Sequence, residues 1–174
     1  MIVVAVVLAI VAMLVFAING VQNKAISLEE QITTAQSEIK IQEKRRADLI
    51  PNLVDCVKAY DEHEYNTLMA VIEARGSSSD DVASEVMTSV NIVAEQYPEL
   101  KSNENYKQLM TELATTENLI AQTRTNYNTW ASKYNTYVKK FPNKGILNML
   151  GYDVVTYDKL TFDVSSDAPT NLFD

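Results

Sequence analysis

Glu43–Arg75, EKRRADLIPNLVDCVKAYDEHEYNTLMAVIEAR, is the stretch whose reading decides the fold. Its residues favour helix, and Ile50, Leu53/Val54, Val57, Asp61, Glu64, Leu68, Val71 and Arg75 recur at helical spacing. Two features disturb that pattern. Pro51 lacks an amide proton and clashes with the carbonyl four residues back, so it predicts a kink or a restart. Asp48 is placed to cap a restarted helix, with Pro51 in its first turn. Asp61-Glu62-His63-Glu64 sets acids on or beside a line that should be buried. The stripes fit either three helices with a kinked first or four separate ones.

Upstream, Met1 to Ile18 carries no charged or polar side chain. Eighteen helical residues span roughly 27 Å, near the roughly 30 Å hydrocarbon core of a bilayer. A cleaved signal peptide would open on Lys or Arg and close on a small-x-small site. No basic residue opens this segment, and its end, Ala17-Ile18-Asn19-Gly20, is at best a weak match to such a site. The expectation is an uncleaved anchor over 1–18, with Ile2, Val3, Leu8, Ile10, Leu14 and Phe16 among its lipid-facing residues. Lys24, Lys40, Lys44, Arg45 and Arg46 follow the span and none precedes it. The positive-inside rule therefore favours a cytoplasmic domain on a single-pass protein. Over 19–49 a membrane-proximal stalk is expected. Ala25, Leu28, Ile32, Ala35 and Ile39 alternate steps of three and four, with Gln42 and Arg46 continuing the spacing, so this helix has one packing face.

Downstream, residues 50–152 form the remainder of the bundle. Gly76-Ser-Ser-Ser-Asp-Asp81 breaks the chain, with Asp80 or Asp81 able to cap a helix over 82–96. Pro98 ends that helix, and Ser102 or Asn103 starts the next. The last helix carries Tyr106, Leu109, Leu113, Thr116, Ile120, Thr123, Tyr127, Trp130, Tyr134, Tyr137 and Phe141 in unbroken three-four alternation. Aromatics at that spacing read as core with hydroxyls at its edge. Phe141-Pro142 stops the helix, and Gly145 to Leu150 can make one short turn. Over 153–174, Val154, Val155, Tyr157, Leu160, Phe162 and Val164 predict an irregular or strand-like tail.

Composition narrows the function classes. With only 4 Gly and 4 Pro in 174 residues, turn-formers are too few for an all-β sandwich. A net charge of −8 argues against nucleic acid as a partner. By thirds the acidity is even: 7 basic and 10 acidic side chains over 20–76, 6 and 8 over 77–141, 2 and 5 over 142–174. One cysteine, Cys56, excludes an intrachain disulfide and a CxxC zinc site.

The chemistry-bearing residues point away from catalysis. Cys56 and His63 lie seven residues apart, roughly 10 Å on a continuous helix, beyond thiolate–imidazole reach. A di-metal carboxylate bundle needs two Glu-x-x-His motifs, and the chain has one histidine. No phosphate-binding glycine loop is present. Asp61 and Glu64 with Glu117 could form a carboxylate metal site, which makes a metal-dependent hydrolase the rival reading. Otherwise the polar residues within the stripes predict a buried structural core of Arg46, Glu64, Arg75, Glu117 and Arg124. Such pairs fix register, because any slip leaves a charge unpaired.

Arg46-Ala-Asp-Leu-Ile-Pro-Asn-Leu-Val54, Glu73-Ala-Arg75, Glu95-Gln-Tyr-Pro-Glu-Leu-Lys101, Thr116-Glu-Asn-Leu-Ile120 and Arg124-Thr-Asn-Tyr-Asn128 resemble the motifs of the LemA family of bacterial membrane proteins. Tyr134-Asn135 and Phe141-Pro142 follow in the family's order. The likeness covers about Met1 to Tyr152, departing at Ala47, where the family commonly has an aromatic. It implies an all-α fold: an N-terminal transmembrane helix, then an antiparallel bundle of three to four long helices. It also implies no known enzymatic activity, no cofactor, and relatives in magnetosome-associated gene sets. The expected function is a membrane-anchored scaffold that presents a helical surface to copies of itself or to another membrane protein. No small-molecule substrate is indicated. A surface or periplasmic interaction protein is the remaining alternative.

Overall fold

The computed structural model describes residues 2–161, and every regular element among them is a helix. These are α1 (Ile2–Asp55), α2 (Glu62–Arg75), α3 (Asp80–Gln96), α4 (Pro98–Ser102), α5 (Glu104–Lys139) and α6 (Asn143–Met149). The chain packs as two units, Met1–Ile32 with Tyr127–Asp174, and Thr33–Asn126. Helices α1 and α5 contribute to both.

The 54 residues of α1 run from the apolar segment into the bundle without a break. Ile2 to Leu14 and Phe16 are exposed, and the helix is long and apolar enough to cross a membrane. Beyond the span its stripe is buried as the spacing predicts, with Ala25 and Ile32 at 0% exposure.

Pro51 does not start a new helix, the second of the two outcomes expected of it. It lies inside α1, which continues to Asp55. Asp48 caps nothing; it is exposed and pairs with Lys44 one turn back at 3.5 Å. The proline leaves the Ala47 carbonyl without its usual amide donor. Ser77, in the α2–α3 connection, supplies a substitute: its hydroxyl donates to the Ala47 carbonyl at 3.0 Å. Ser77→Ala is therefore expected to cost about 1 kcal/mol beside Pro51. The cost should nearly vanish in a Pro51→Ala background, where the restored amide can bond Ala47. Urea midpoints of the two single variants and the double variant measure this coupling; strict additivity would show that Ser77 does not stand in for the amide.

The true break follows at Cys56–Tyr60, where the amides of Cys56, Val57 and Lys58 donate three residues back. Asp61 then caps α2, its carboxylate accepting from the Glu64 amide at 3.0 Å. Glu62 and Glu64 fall in the first turn, where acids complement the helix dipole. The dense acidic cluster is thus the signature of a helix start rather than an interrupted core face.

Around this corner lies the main hydrophobic core. Leu49, Ile50, Leu53, Val54 and Val57 pack with Leu68 and Ile72 of α2, Val82 to Ala94 of α3, and Leu100, Tyr106 and Leu113. Pro98 ends α3 but opens α4 as its first residue, and Asn103 caps α5, accepting from the Asn105 and Tyr106 amides.

The stripe of α5 is buried or half-buried from Tyr106 to Tyr137 and then fails: Phe141 is 93% exposed. The described tail forms no strand. It is extended and held by two asparagines of α5. Asn135 donates to the Tyr157 carbonyl at 2.6 Å and accepts from its amide at 3.1 Å; Asn128 does the same at Leu160, at 2.9 and 2.7 Å. Seven helical residues rise about 10.5 Å and three extended residues about 10 Å, so the two spacings coincide. Phe162 and Val164 lie outside the described residues.

Candidate functional site

Helical spacing turns Arg46 of α1 inward, into line with the buried Leu49, Ile50 and Leu53 that follow it. At 1% exposure it is among the largest fully buried side chains of the described residues. Its Nη1 lies 2.6 Å from Asp80 Oδ1 and 3.2 Å from Glu117 Oε2, and its Nη2 donates to the Ser78 carbonyl. Arg124 reaches the same carboxylate from α5. Its Nη1 is 2.6 Å from Asp80 Oδ2, and its Nη2 is 2.9 Å from Glu43 Oε1. Asp80 thus bridges two guanidinium groups. The hydrogen bond from Arg124 holds its carboxyl below the usual range against the opposing effect of burial, with Arg46 adding to the depression. The Arg124 guanidinium is reciprocally pushed up, chiefly by its bond to Asp80.

Three of the five expected polar-core residues, Arg46, Glu117 and Arg124, belong to this cluster. Two do not. Arg75, at the end of α2, is 47% exposed and pairs with Glu85 at 2.7 Å. Glu64 is half-buried in the first turn of α2 and forms no ion pair among the described residues. Spacing put both on a single stripe through Pro51, and that stripe ends when α1 ends at Asp55. Asp80 was legible only as a capping residue; as the first residue of α3 it uses its carboxylate for the arginines instead. Arg46 Nε and Gln42 Oε1, a donor and an acceptor one turn apart, are both buried without a protein partner.

The hydrolase reading needs Asp61, Glu64 and Glu117 together. Asp61 is committed to the α2 cap and Glu117 to Arg46. Among the described residues no group of three or more His, Cys, Asp or Glu side chains could hold a metal ion. Burial and the neighbouring Asp55 carboxylate push the Cys56 thiol up, which disfavours the thiolate a nucleophile requires.

A second polar cluster sits in the other unit. Glu29 of α1 accepts from the Tyr134 hydroxyl at 2.9 Å and the Tyr152 hydroxyl at 2.6 Å. Burial first, and the Glu29 carboxylate second, push Tyr134 up to about 12 and raise Tyr152 as well. Both phenols therefore stay protonated donors well above the ordinary tyrosine range. Because the folded-state value lies above the unfolded one, this contribution is full below pH 10 and lost as pH climbs toward 12. Thermal melts from pH 8 to 12 should fall steeply over that upper interval, and Glu29→Gln should flatten the fall. An unchanged slope in that variant would remove the carboxylate from the explanation.

What these two clusters can do is align helices. Each joins an inward face of α1 to α5 through residues that tolerate no slip in register. The chain matches the LemA family over residues 35–171. It belongs to the LemA family. That match reaches further into the tail than the motif resemblance, which stopped at about Tyr152. Protein LemA of Metamycoplasma hominis is 28% identical over 138 residues, covering 72% of this chain and 63% of that protein. Magnetosome protein MamQ 2 of Paramagnetospirillum magneticum is 38% identical over 65 residues, covering 37% of this chain and 24% of that protein. MamQ of Magnetospirillum gryphiswaldense is 35% identical over 65 residues with the same coverage. The chain thus spans less than two thirds of the length of these relatives. Within the family motifs, Arg46, Glu117 and Arg124 are the residues that Asp80 and its neighbours tie together.

Proposed function

We propose that this LemA-family chain is a single-pass protein of the bacterial inner membrane whose helical bundle scaffolds an assembly on the cytoplasmic side. The observation that carries this reading is the continuity of α1: the apolar segment and the first bundle helix are one element, with no flexible linker between them. A domain joined so directly to a span suits a scaffold better than a diffusing binder. Ile41 on α1 and Ile92 on α3, 62% and 52% exposed, are apolar side chains of the surface offered to a partner. Basic residues following the span support the cytoplasmic side.

Mass measurement of the full chain in mild detergent tests the self-association half of this reading. Oligomers are expected, and Ile41→Asp should shift them toward monomer. A wild-type monomer at every concentration would leave only a partner of another kind. An impermeant thiol reagent applied to whole cells carrying Ser78→Cys reads the side of the membrane. Labelling would place the domain outside the cytoplasm.

A further inference from the structure

The even charge distribution by thirds conceals a sharp asymmetry. From Asn118 to Tyr152 the chain carries five basic side chains and no acidic one, within a protein of net charge −8. Three of the five are Lys139 at the end of α5, Lys140 in the connection and Lys144 in the first turn of α6, flanking Phe141. Phe141 is the last residue of the α5 apolar stripe, yet it is 93% exposed, while Val138 and Leu147 on either side are buried. A large aromatic held out between lysines is costly in water and suited to a lipid headgroup boundary.

The fold places this turn at the right height. In the unit that contains them, α1 and α5 run antiparallel: Glu29 meets Tyr134, and the Val21 carbonyl accepts from the Tyr137 hydroxyl at 3.3 Å. Ile18 lies three residues before Val21 and Phe141 four residues beyond Tyr137, so both are displaced from that contact in the same direction, Ile18 by about one helical turn and Phe141 by the last residues of α5 and the turn after it. Phe141 therefore reaches the level where the apolar segment of α1 ends. Tyr137, one turn higher, sits where interfacial aromatics concentrate. Lys139, Lys140 and Lys159 line one shallow hollow with Ser132, Asn135 and Thr136. Among the described residues none of Lys139, Lys140 and Lys144 is in an ion pair.

We propose that the Lys139–Lys144 turn is a second bilayer contact, seating Phe141 at the headgroup boundary with the lysines on anionic lipid phosphates. It rests on the reading of α1 as a membrane span. With both contacts the protein touches the membrane at two points, which fixes rotation about the α1 axis as well as height. Anionic lipid is the occupant the charge selects, since these lysines flank the exposed aromatic and are in no ion pair among the described residues.

Spin labels on the full chain in nanodiscs test this, in a Cys56→Ser background with single cysteines at Ile10, Ser27 or Phe141. Collisions with oxygen should exceed those with a water-soluble nickel complex at positions 10 and 141, and the reverse should hold at 27. With Lys139→Gln, Lys140→Gln and Lys144→Gln together, occupancy of the seated state should fall on the order of 100-fold in discs containing phosphatidylglycerol. An aqueous label at 141 with a buried label at 10 would overturn the second contact and leave the span intact. An aqueous label at 10 would overturn the span reading itself. A label at 141 shielded from both reagents would indicate a protein partner there and overturn the lipid assignment. Insensitivity to both phosphatidylglycerol and the lysines would overturn the role given to charge.

Discussion

Arg46→Ala should lower the stability of the bundle by about 3–5 kcal/mol, the range for removing one partner of a buried ionic cluster. The side chain is 1% exposed and contacts Asp80, Glu117 and the Ser78 carbonyl, so its loss strips three acceptors at once. Asp80 and Glu117 are themselves 54% and 33% exposed, and water will recover part of their loss. The remainder comes from the cavity and from the carbonyl at the α2–α3 connection. Arg75→Ala is the matched control: its ion pairs are solvent-exposed, and exposed pairs contribute about 0–1 kcal/mol. Denaturation of the full chain in detergent, followed by far-ultraviolet circular dichroism, measures both. Equal midpoints for the two variants would show that the Arg46 cluster is no more than a surface network.

Glu29→Ala should cost about 2–4 kcal/mol: two hydrogen bonds to a charged acceptor, worth about 1.5–3 kcal/mol each, are lost, and water reaching the half-buried site offsets part of their sum. The Tyr134 ring is fully buried, so its hydroxyl would be left without the acceptor it faces. Tyr134→Phe in the Glu29→Ala background should recover part of the loss by removing that orphaned donor. If the phenylalanine gave no recovery, the destabilisation would have to arise from packing around Glu29 instead.

Which parts of this were legible in the sequence follows from how local each cause is. The stripes of α1 and α5 could be read because burial imposes a period of 3.6 on a single helix, and Ala25 to Ile39 and Tyr106 to Tyr137 obey it. Arg46, Glu117 and Arg124 could be singled out because charge on such a stripe needs a partner. The break between α1 and α2 was misplaced because proline is a strong local signal that a distant hydroxyl, Ser77, can offset. Once the break is at Cys56–Tyr60, Glu64 and Arg75 lose their place on the buried line and Asp61 becomes a cap. The roles of Asp80 and Glu29 were missed for a different reason: one looks like a helix cap and the other like an ordinary exposed acid until the fold brings arginines or tyrosines to them. Phe141 continued the period, but α5 ends at Lys139, and only that end reveals that Phe141 stands clear.

The asparagine pairs on α5 have a kinetic consequence. Asn128 and Asn135 reach Tyr157 and Leu160 at matching spacing only when the intervening two turns are helical, so the extended segment behaves as an intramolecular ligand for folded α5. It cannot bind the unfolded helix, and its binding therefore adds to the helix's stability by mass action. Tethered through the α6 turn, it is present at an effective concentration in the millimolar range typical of short linkers, whatever the protein concentration. An insertion of one residue between Asn128 and Asn135 would turn one of them about 100° away and convert this two-point ligand to a one-point one. The last part of the described chain to be synthesised thus docks only on a helix already formed in register, and hydrogen exchange at the Tyr157 and Leu160 amides would report when that has happened.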